Sequence, residues 1–202
     1  MKHPVQFLKL AVLVMFLAAG GAAYAHDVSQ PVLLVASDKL DGSPFQQTVV
    51  LAVPLPSGRH VGFIVNRRTT VKLAALFPED GPSQKVTEPV YIGGPMLGGA
   101  VFALTRERPQ GEGEVVPIMS GLFAALDATS VDRVIVSAFN DARYFIGLMV
   151  WDADELAAQL EAGAWDVAPA DADTVLRTQP TGMWKSLRNR PDSEQLAKRG
   201  YV

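Results

Sequence analysis

The sequence contains no cysteine, which excludes disulfides, thiol redox chemistry and thiolate metal sites. Histidine is nearly as scarce. His3, His26 and His60 are the only three in 202 residues, so His-assisted serine chemistry has few options. An excess of positive charge is also missing: 18 Lys and Arg stand against 21 Asp and Glu, a net charge of −3. A chain of that balance lacks the basic face that a phosphate backbone demands, and nucleic acid is not an expected partner. No internal repeat, low-complexity tract or Ser/Gly linker divides the chain.

What is present begins with an address. Lys2, His3 and Lys9 form a basic start, Leu10 to Ala19 is uninterrupted and apolar, and Ala23-Tyr24-Ala25 closes the segment with small residues. This is the order of a secretory signal peptide cleaved after Ala25. The apolar stretch is shorter than the roughly 20 residues a membrane span needs. An uncleaved anchor over Leu8 to Ala25 would have to tolerate Gly20 and Gly21. The expectation is therefore a signal at 1–25, a domain at 26–187 and a charged tail at 188–202, in a periplasmic or secreted protein with no membrane span after cleavage. Cleavage would remove two of the 18 basic side chains and no acidic one, leaving a mature balance of −5. The remaining 177 of 202 residues suffice for one domain with a core that needs no staples.

Along that domain, Val32 to Ala36 predicts a short strand. Gln47 to Leu55 and His60 to Asn66, separated by Pro56-Ser57-Gly58, predict a hairpin. Thr69 or Thr70 is placed to cap a short helix running to Phe77, with Leu73, Leu76 and Phe77 inward and Pro78 as its stop. After a polar loop over 80–88, strands are expected at Val90 to Ile92 and Val101 to Leu104, joined by a turn at Gly93 to Gly99. A charged loop at 105–114, a strand at Val115 to Met119 and a short helix at Ser130 to Ala138 follow. Arg143 to Trp151 is the most continuous apolar run of the domain and suits a central strand covered on both faces. Asp152 and Glu155 make a capping-box-like helix start, Leu156 and Leu160 share one face, and Gly163 lies where that helix ends. Trp165 to Val167 adds an edge strand, and Thr181 is placed to cap a last helix carrying Trp184 and Leu187. The irregular interleaving points to an α/β (α+β) domain: one mixed sheet with helices packed on it.

The order of these pieces resembles the YqgE/AlgH family from about Val32 to Leu187. It is carried by Asp41 and Phe45 before Thr48-Val49-Val50, by Gly62-Phe63-Ile64-Val65-Asn66-Arg67, and by Val90-Tyr91-Ile92-Gly93-Gly94-Pro95 with Phe102-Ala103-Leu104 behind it. Gly147-Leu148-Met149-Val150-Trp151, Glu155-Leu156, Gly163-Ala164-Trp165 and Trp184 complete the series. The resemblance implies a mixed, partly closed sheet with flanking helices, and no established enzyme class. Some members carry a transcriptional-regulator label, which an exported chain could not exercise. Three positions depart from the family pattern: Arg68 stands where a proline is usual, Val150 precedes Trp151 in place of glycine, and Glu155 replaces a glutamine.

Candidate chemistry is sparse. The glycines from Gly93 to Gly99 lack the Lys-Ser/Thr and G-x-G-x-x-G spacings of phosphate loops and are accounted for by a turn. Asn66, Arg67, Arg68 and Thr69 close an apolar strand where ligands are often held, and two guanidinium groups suit an anion; a helix cap with solvated charge is the plainer account. His26 at a new N-terminus could chelate copper, yet with His60 it makes too few ligands to specify a site. Asp152-Ala153-Asp154-Glu155 and Asp171-Ala172-Asp173 read as helix starts favoured by the helix dipole. Nucleophile elbows are absent. Trp151, Trp165 and Trp184 read as packing residues. The expectation is an exported, non-catalytic envelope protein that binds a protein partner or small ligand, with no cofactor or metal. The binding candidates are Asn66, Arg67, Thr69, Gly93, Gly94 and Asp41. An enzyme acting on an anionic substrate beside Asn66 and Arg67 is one alternative. A regulator, if the chain is not exported, is the other.

Overall fold

A computed structural model describes residues 28–78 and 81–189. The expected signal, its cleavage site and His26 lie outside these residues, as does the tail beyond Asn189. Ten strands form one curled sheet in the order β10-β1-β2-β3-β9-β6-β8-β7, with β4 paired to β5 and β5 also paired to β9. They are β1 (Val32–Ala36), β2 (Val49–Pro54), β3 (His60–Ile64), β4 (Arg68–Lys72), β5 (Pro89–Ile92), β6 (Met96–Thr105), β7 (Val115–Met119), β8 (Leu122–Ala125), β9 (Ala142–Trp151) and β10 (Trp165–Pro169). The helices are α1 (Leu73–Leu76), α2 (Ala128–Ser137), α3 (Ala153–Glu161), α4 (Ala172–Val175) and α5 (Met183–Arg188).

The long apolar run is the hinge of this arrangement. β9 pairs antiparallel with β3 and β6 and parallel with β5, and so joins the two sides of the sheet. Its N-terminal half belongs to one side of the curl and its C-terminal half to the other. Leu33, Leu51, Phe63, Tyr91, Phe102, Leu104 and Phe145 fill the inside, which Val175, Met183 and Leu187 of α4 and α5 close. The outer face of β1, β2, β3 and the end of β9 buries Leu34, Val50, Ile64 and Trp151 beneath Leu156 of α3. The outer face of β6 and β8 is covered by Val131, Val134 and Ile135 of α2.

Side-chain hydrogen bonds fix the covers. The Gln159 Oε1 of α3 accepts from both indole N–H groups beneath it, Trp151 at 3.1 Å and Trp165 at 2.8 Å. Gln159→Leu keeps the volume and orphans two largely buried donors, each costing about 1–3 kcal/mol. Urea unfolding should report that loss together with a shift in tryptophan emission.

Under α2, by contrast, the Tyr144 hydroxyl is buried without a hydrogen bond, and burial pushes its pKa up. The folded state holds this proton after the unfolded chain has released it. Stability is therefore complete below the phenol's ordinary pKa of about 10 and falls as pH rises through it. Tyr144→Phe should raise stability near neutrality by about 1 kcal/mol and flatten the alkaline fall, read from melting temperature against pH.

Several expectations change on contact with the fold. Thr69 and Thr70 do not cap a helix: β-branched residues favour extended backbone, and they run in β4. Only Leu73–Leu76 is helical, Lys72 occupies the cap position without a side-chain bond, and Leu76 is exposed rather than inward. Part of the expected glycine turn is strand, because β6 starts at Met96. The polar loop at 80–88 contains a 3-10 turn at Pro82–Lys85 with Ser83 and Val86 buried. β8 was not anticipated, whereas α4 begins at the expected helix start, with Asp171 capping it by accepting from Thr174 N–H. α2 starts two residues earlier than expected because Asp127 caps it, accepting from Ser130 N–H. Before α5 the cap position belongs to Gly182 in left-handed conformation, not to Thr181. Arg188, the first residue of the expected tail, ends α5 and pairs with Asp38 and Asp166. The hairpin, the central strand, the Asp152/Glu155 start and the left-handed Gly163 stand as expected.

Candidate functional site

The expected binding residues divide into those the backbone consumes and those it leaves available. The Asn66 Oδ1 accepts from Val49 N–H at 2.9 Å and its Nδ2 donates to the Gln47 carbonyl at 2.8 Å. Both ends of the amide thus brace the entry to β2, where Gln47 takes a left-handed φ of 55°. Thr69 donates to the Val90 carbonyl at 2.7 Å and accepts from Val71 N–H, which fastens β4 to β5. Gly93 donates to Ile146 O and accepts from Ile64 N–H. A methyl on Gly93 would overlap the Gly147 carbonyl, and one on Gly94 the Leu148 carbonyl. These glycines let backbones cross rather than cradle a ligand. Asp41 follows a 3-10 turn at Asp38–Leu40 and is exposed.

Ile64 N–H to Gly93 O and Ile92 N–H to Arg67 O do bring the ends of β3 and β5 together. Asp41 is not part of that junction. Arg67 differs from its neighbours: among the described residues its guanidinium has no hydrogen bond or ion pair, and burial alone lowers its pKa.

The polar concentration lies on the inner side, where Arg68 faces Tyr91 in register. Arg143, only 4% exposed, sits at the start of β9 with its guanidinium 4.4 Å from the Tyr91 ring centre. It donates to the carbonyls of Val65 at 3.0 Å and Val175 at 2.6 Å, and to that of Arg177. The planar fork spreads these bonds over two nitrogens held in fixed directions, where a lysine would gather its three donors on one atom. Through these bonds the segment after α4 is tied to the end of β3. That segment, Thr178 to Thr181, forms one wall of a cleft of about 380 Å³ whose other wall is Arg68 and Glu88.

The cleft has incomplete chemistry. Arg68 Nε stands 3.6 Å from Glu88 Oε2, near enough for an ion pair and too far for a hydrogen bond, so that oxygen is buried without one. The Tyr91 hydroxyl is also buried without a bond of ordinary geometry. Burial pushes its pKa up, opposed by Arg143 and Arg68 and reinforced by Glu88. The phenol is therefore a neutral donor at physiological pH. The cleft's own lining sets one guanidinium, Arg68, against one carboxylate, Glu88, and the excess positive charge is that of Arg143 in the core behind them. A larger hollow of about 530 Å³ between the 107–110 loop and α2 gathers Glu107, Arg108, Asp132 and Arg133, whose charges balance. His60 is engaged elsewhere, its Nε2 donating to the Val28 carbonyl at 3.0 Å. Sequence reasoning named Arg68 but missed Glu88, Tyr91, Arg143 and the 178–181 wall. The available signal was Arg143 itself, the one charge heading the apolar run.

With this geometry in place, comparison with known proteins gives one decisive match. The AlgH-like family profile covers residues 33–193. The chain belongs to the AlgH-like family. Its relatives include a UPF0301 protein of Thermobifida fusca, 28% identical over 174 residues, spanning 80% of this chain and 86% of that protein. A UPF0301 protein of Chlorobaculum tepidum is 28% identical over 162 residues, spanning 78% and 84%. Among solved structures, the AlgH protein of Pseudomonas aeruginosa superposes with a TM-score of 0.68 at 18% identity, over 91% of this chain and 97% of that one. A Corynebacterium diphtheriae protein gives 0.67 at 21%, over 83% and 90%. The family and the curled mixed sheet expected from the resemblance are both shown; at such identities the structural likeness speaks for fold alone.

Proposed function

We propose that this AlgH-like protein is exported and, without catalysing a reaction, binds a small anionic ligand in the cleft between Arg68–Glu88 and Thr178–Thr181. The observation that carries the reading is the cleft's Glu88 Oε2, buried without a hydrogen bond beside Arg68, with the Tyr91 hydroxyl and the Arg143 guanidinium in the core behind it. Buried polar groups are ordinarily paired, so two in one corner call for a partner from outside the chain. The net positive charge asks for an anion, and the orphaned carboxylate oxygen asks that the same molecule carry a hydrogen-bond donor. Support for a non-catalytic role comes from Asn66 and Thr69, whose polar atoms are spent on backbone groups. Support for export is the leader ending at Ala23-Tyr24-Ala25.

Native mass spectrometry of the protein isolated from its host tests both parts. The expected spectrum shows a chain beginning at His26, with an additional small mass that is absent from Arg68→Gln. An intact Met1 to Ala25 in a cytosolic fraction would defeat export and restore the regulator reading. A bare chain, or a mass retained by Arg68→Gln, would defeat the cleft.

A further inference from the structure

Arg68 and Glu88 make opposite demands on whatever occupies their cleft. A guanidinium donates and never accepts; a carboxylate accepts and never donates. With Arg68 Nε 3.6 Å from Glu88 Oε2, the two demands fall on neighbouring atoms of the occupant. Glu88 Oε2 is the stricter of the two, because it is buried and has no hydrogen bond. An occupant's oxygen without a proton, set against it, would meet a negative oxygen where water screens little; an O–H there would satisfy it. The rest of the lining is polar. Thr178, Gln179 and Thr181 are exposed and uncharged, and Pro180 is the one apolar residue beside them. An organic skeleton would set its carbons against these groups, whereas a tetrahedral oxyanion turns an oxygen to each.

Among tetrahedral oxyanions the proton separates the candidates. Sulfate carries none near neutral pH. A phosphate monoester loses its last proton with a pKa of about 6. Inorganic phosphate keeps one throughout the neutral range. At pH 8 all three are chiefly dianions of one shape, so charge and geometry do not tell them apart. A carboxylate oxygen that requires a donor does. Resting on the reading of this cleft as an anion site, we infer that its ligand is inorganic phosphate. Arg68 donates to one phosphate oxygen, and Glu88 Oε2 accepts the proton of the remaining P–OH. Glu88 is then the residue that sets specificity, turning away sulfate and phosphate esters that Arg68 alone would take.

The test is isothermal titration calorimetry at pH 8 on the protein isolated from its host and dialysed free of phosphate, with inorganic phosphate, methyl phosphate and sulfate as probes. Phosphate is expected to bind saturably, and the other two at least about tenfold more weakly, the worth of one hydrogen bond to a charged group. Glu88→Gln, whose amide donates as well as accepts, should bring the three affinities within about threefold of one another by strengthening methyl phosphate and sulfate. If that variant does not fold, the ranking of the three probes on the unaltered chain still decides. Methyl phosphate or sulfate binding that chain as tightly as phosphate, with all binding lost in Arg68→Gln, would overturn the inference and leave the cleft an anion site. Full discrimination kept by Glu88→Gln would also overturn it. So would a failure of phosphate to bind, and the mass retained by the host protein would then show whether a different anion sits there. Phosphate binding unchanged in Arg68→Gln would overturn the cleft and the inference together.

Discussion

Arg143→Met is expected to lower the stability of the folded protein by about 3–5 kcal/mol, although methionine is the more apolar residue at a buried position. The reasoning follows from what the guanidinium touches. Its partners are three carbonyls, Val65 O, Val175 O and Arg177 O, supplied by segments that no strand pairing joins. Each buried acceptor left without a donor costs about 1–3 kcal/mol, and the lost stacking on Tyr91 adds to that, while the gain from burying methionine offsets part. Burial lowers the Arg143 pKa, with Tyr91 and Glu88 opposing the shift, yet arginine stays charged in any accessible range. The loss should consequently be independent of pH between 6 and 9, within roughly 0.5 kcal/mol. Hydrogen exchange should quicken first in the segment following α4, because Arg143 is what holds it to β3. Urea unfolding within about 1 kcal/mol of wild type would mean that the carbonyls need no donor.

The second large effect concerns a single methyl group. Gly94→Ala would drive a Cβ into the Leu148 carbonyl and the Met149 nitrogen, all backbone atoms of the central strand. Backbone cannot rotate out of the way as a side chain can, so either the β5 end or β9 must move. A cost above about 4 kcal/mol is expected, enough to abolish folding in a protein of ordinary stability. Gly98→Ala, the same substitution four residues on but in open space, should stay within about 0.5 kcal/mol. Circular dichroism melts of the two variants make the comparison. Equal effects would show that the crossing of these two segments is not what the glycines serve.

These two residues also show where sequence reading stops. The hairpin at 47–66 and the central strand at 143–151 were legible because β-branched runs and turn residues act within a few positions of one another. The start of α3 was legible for the same reason, since Asp152 N–H meets the Glu155 carboxylate three residues on. Thr69-Thr70 carried two local meanings, helix cap and strand former, and only the pairing of β4 with β5 decides between them. Gly94 looked like part of a turn because its reason is Leu148, far along the chain. Arg143 was less legible still: its acceptors lie 78 and 32 residues away and are carbonyls, which every residue possesses. The cleft inherits that opacity. It is made by Arg68 and Glu88 only after Arg143 has drawn the 178–181 segment across them.

The proposal that this cleft takes an anion carrying its own donor is met most directly by titrating the isotopically labelled protein with inorganic phosphate, and in parallel with sulfate, and following backbone amide shifts. Phosphate near neutral pH has both negative charge and hydroxyl protons, whereas sulfate has the charge alone. Saturable shifts at Arg68 and at Thr178, Gln179 and Thr181, larger for phosphate than sulfate and lost in Arg68→Gln, are the predicted result. Shifts confined to other residues, or identical shifts in Arg68→Gln, would contradict it.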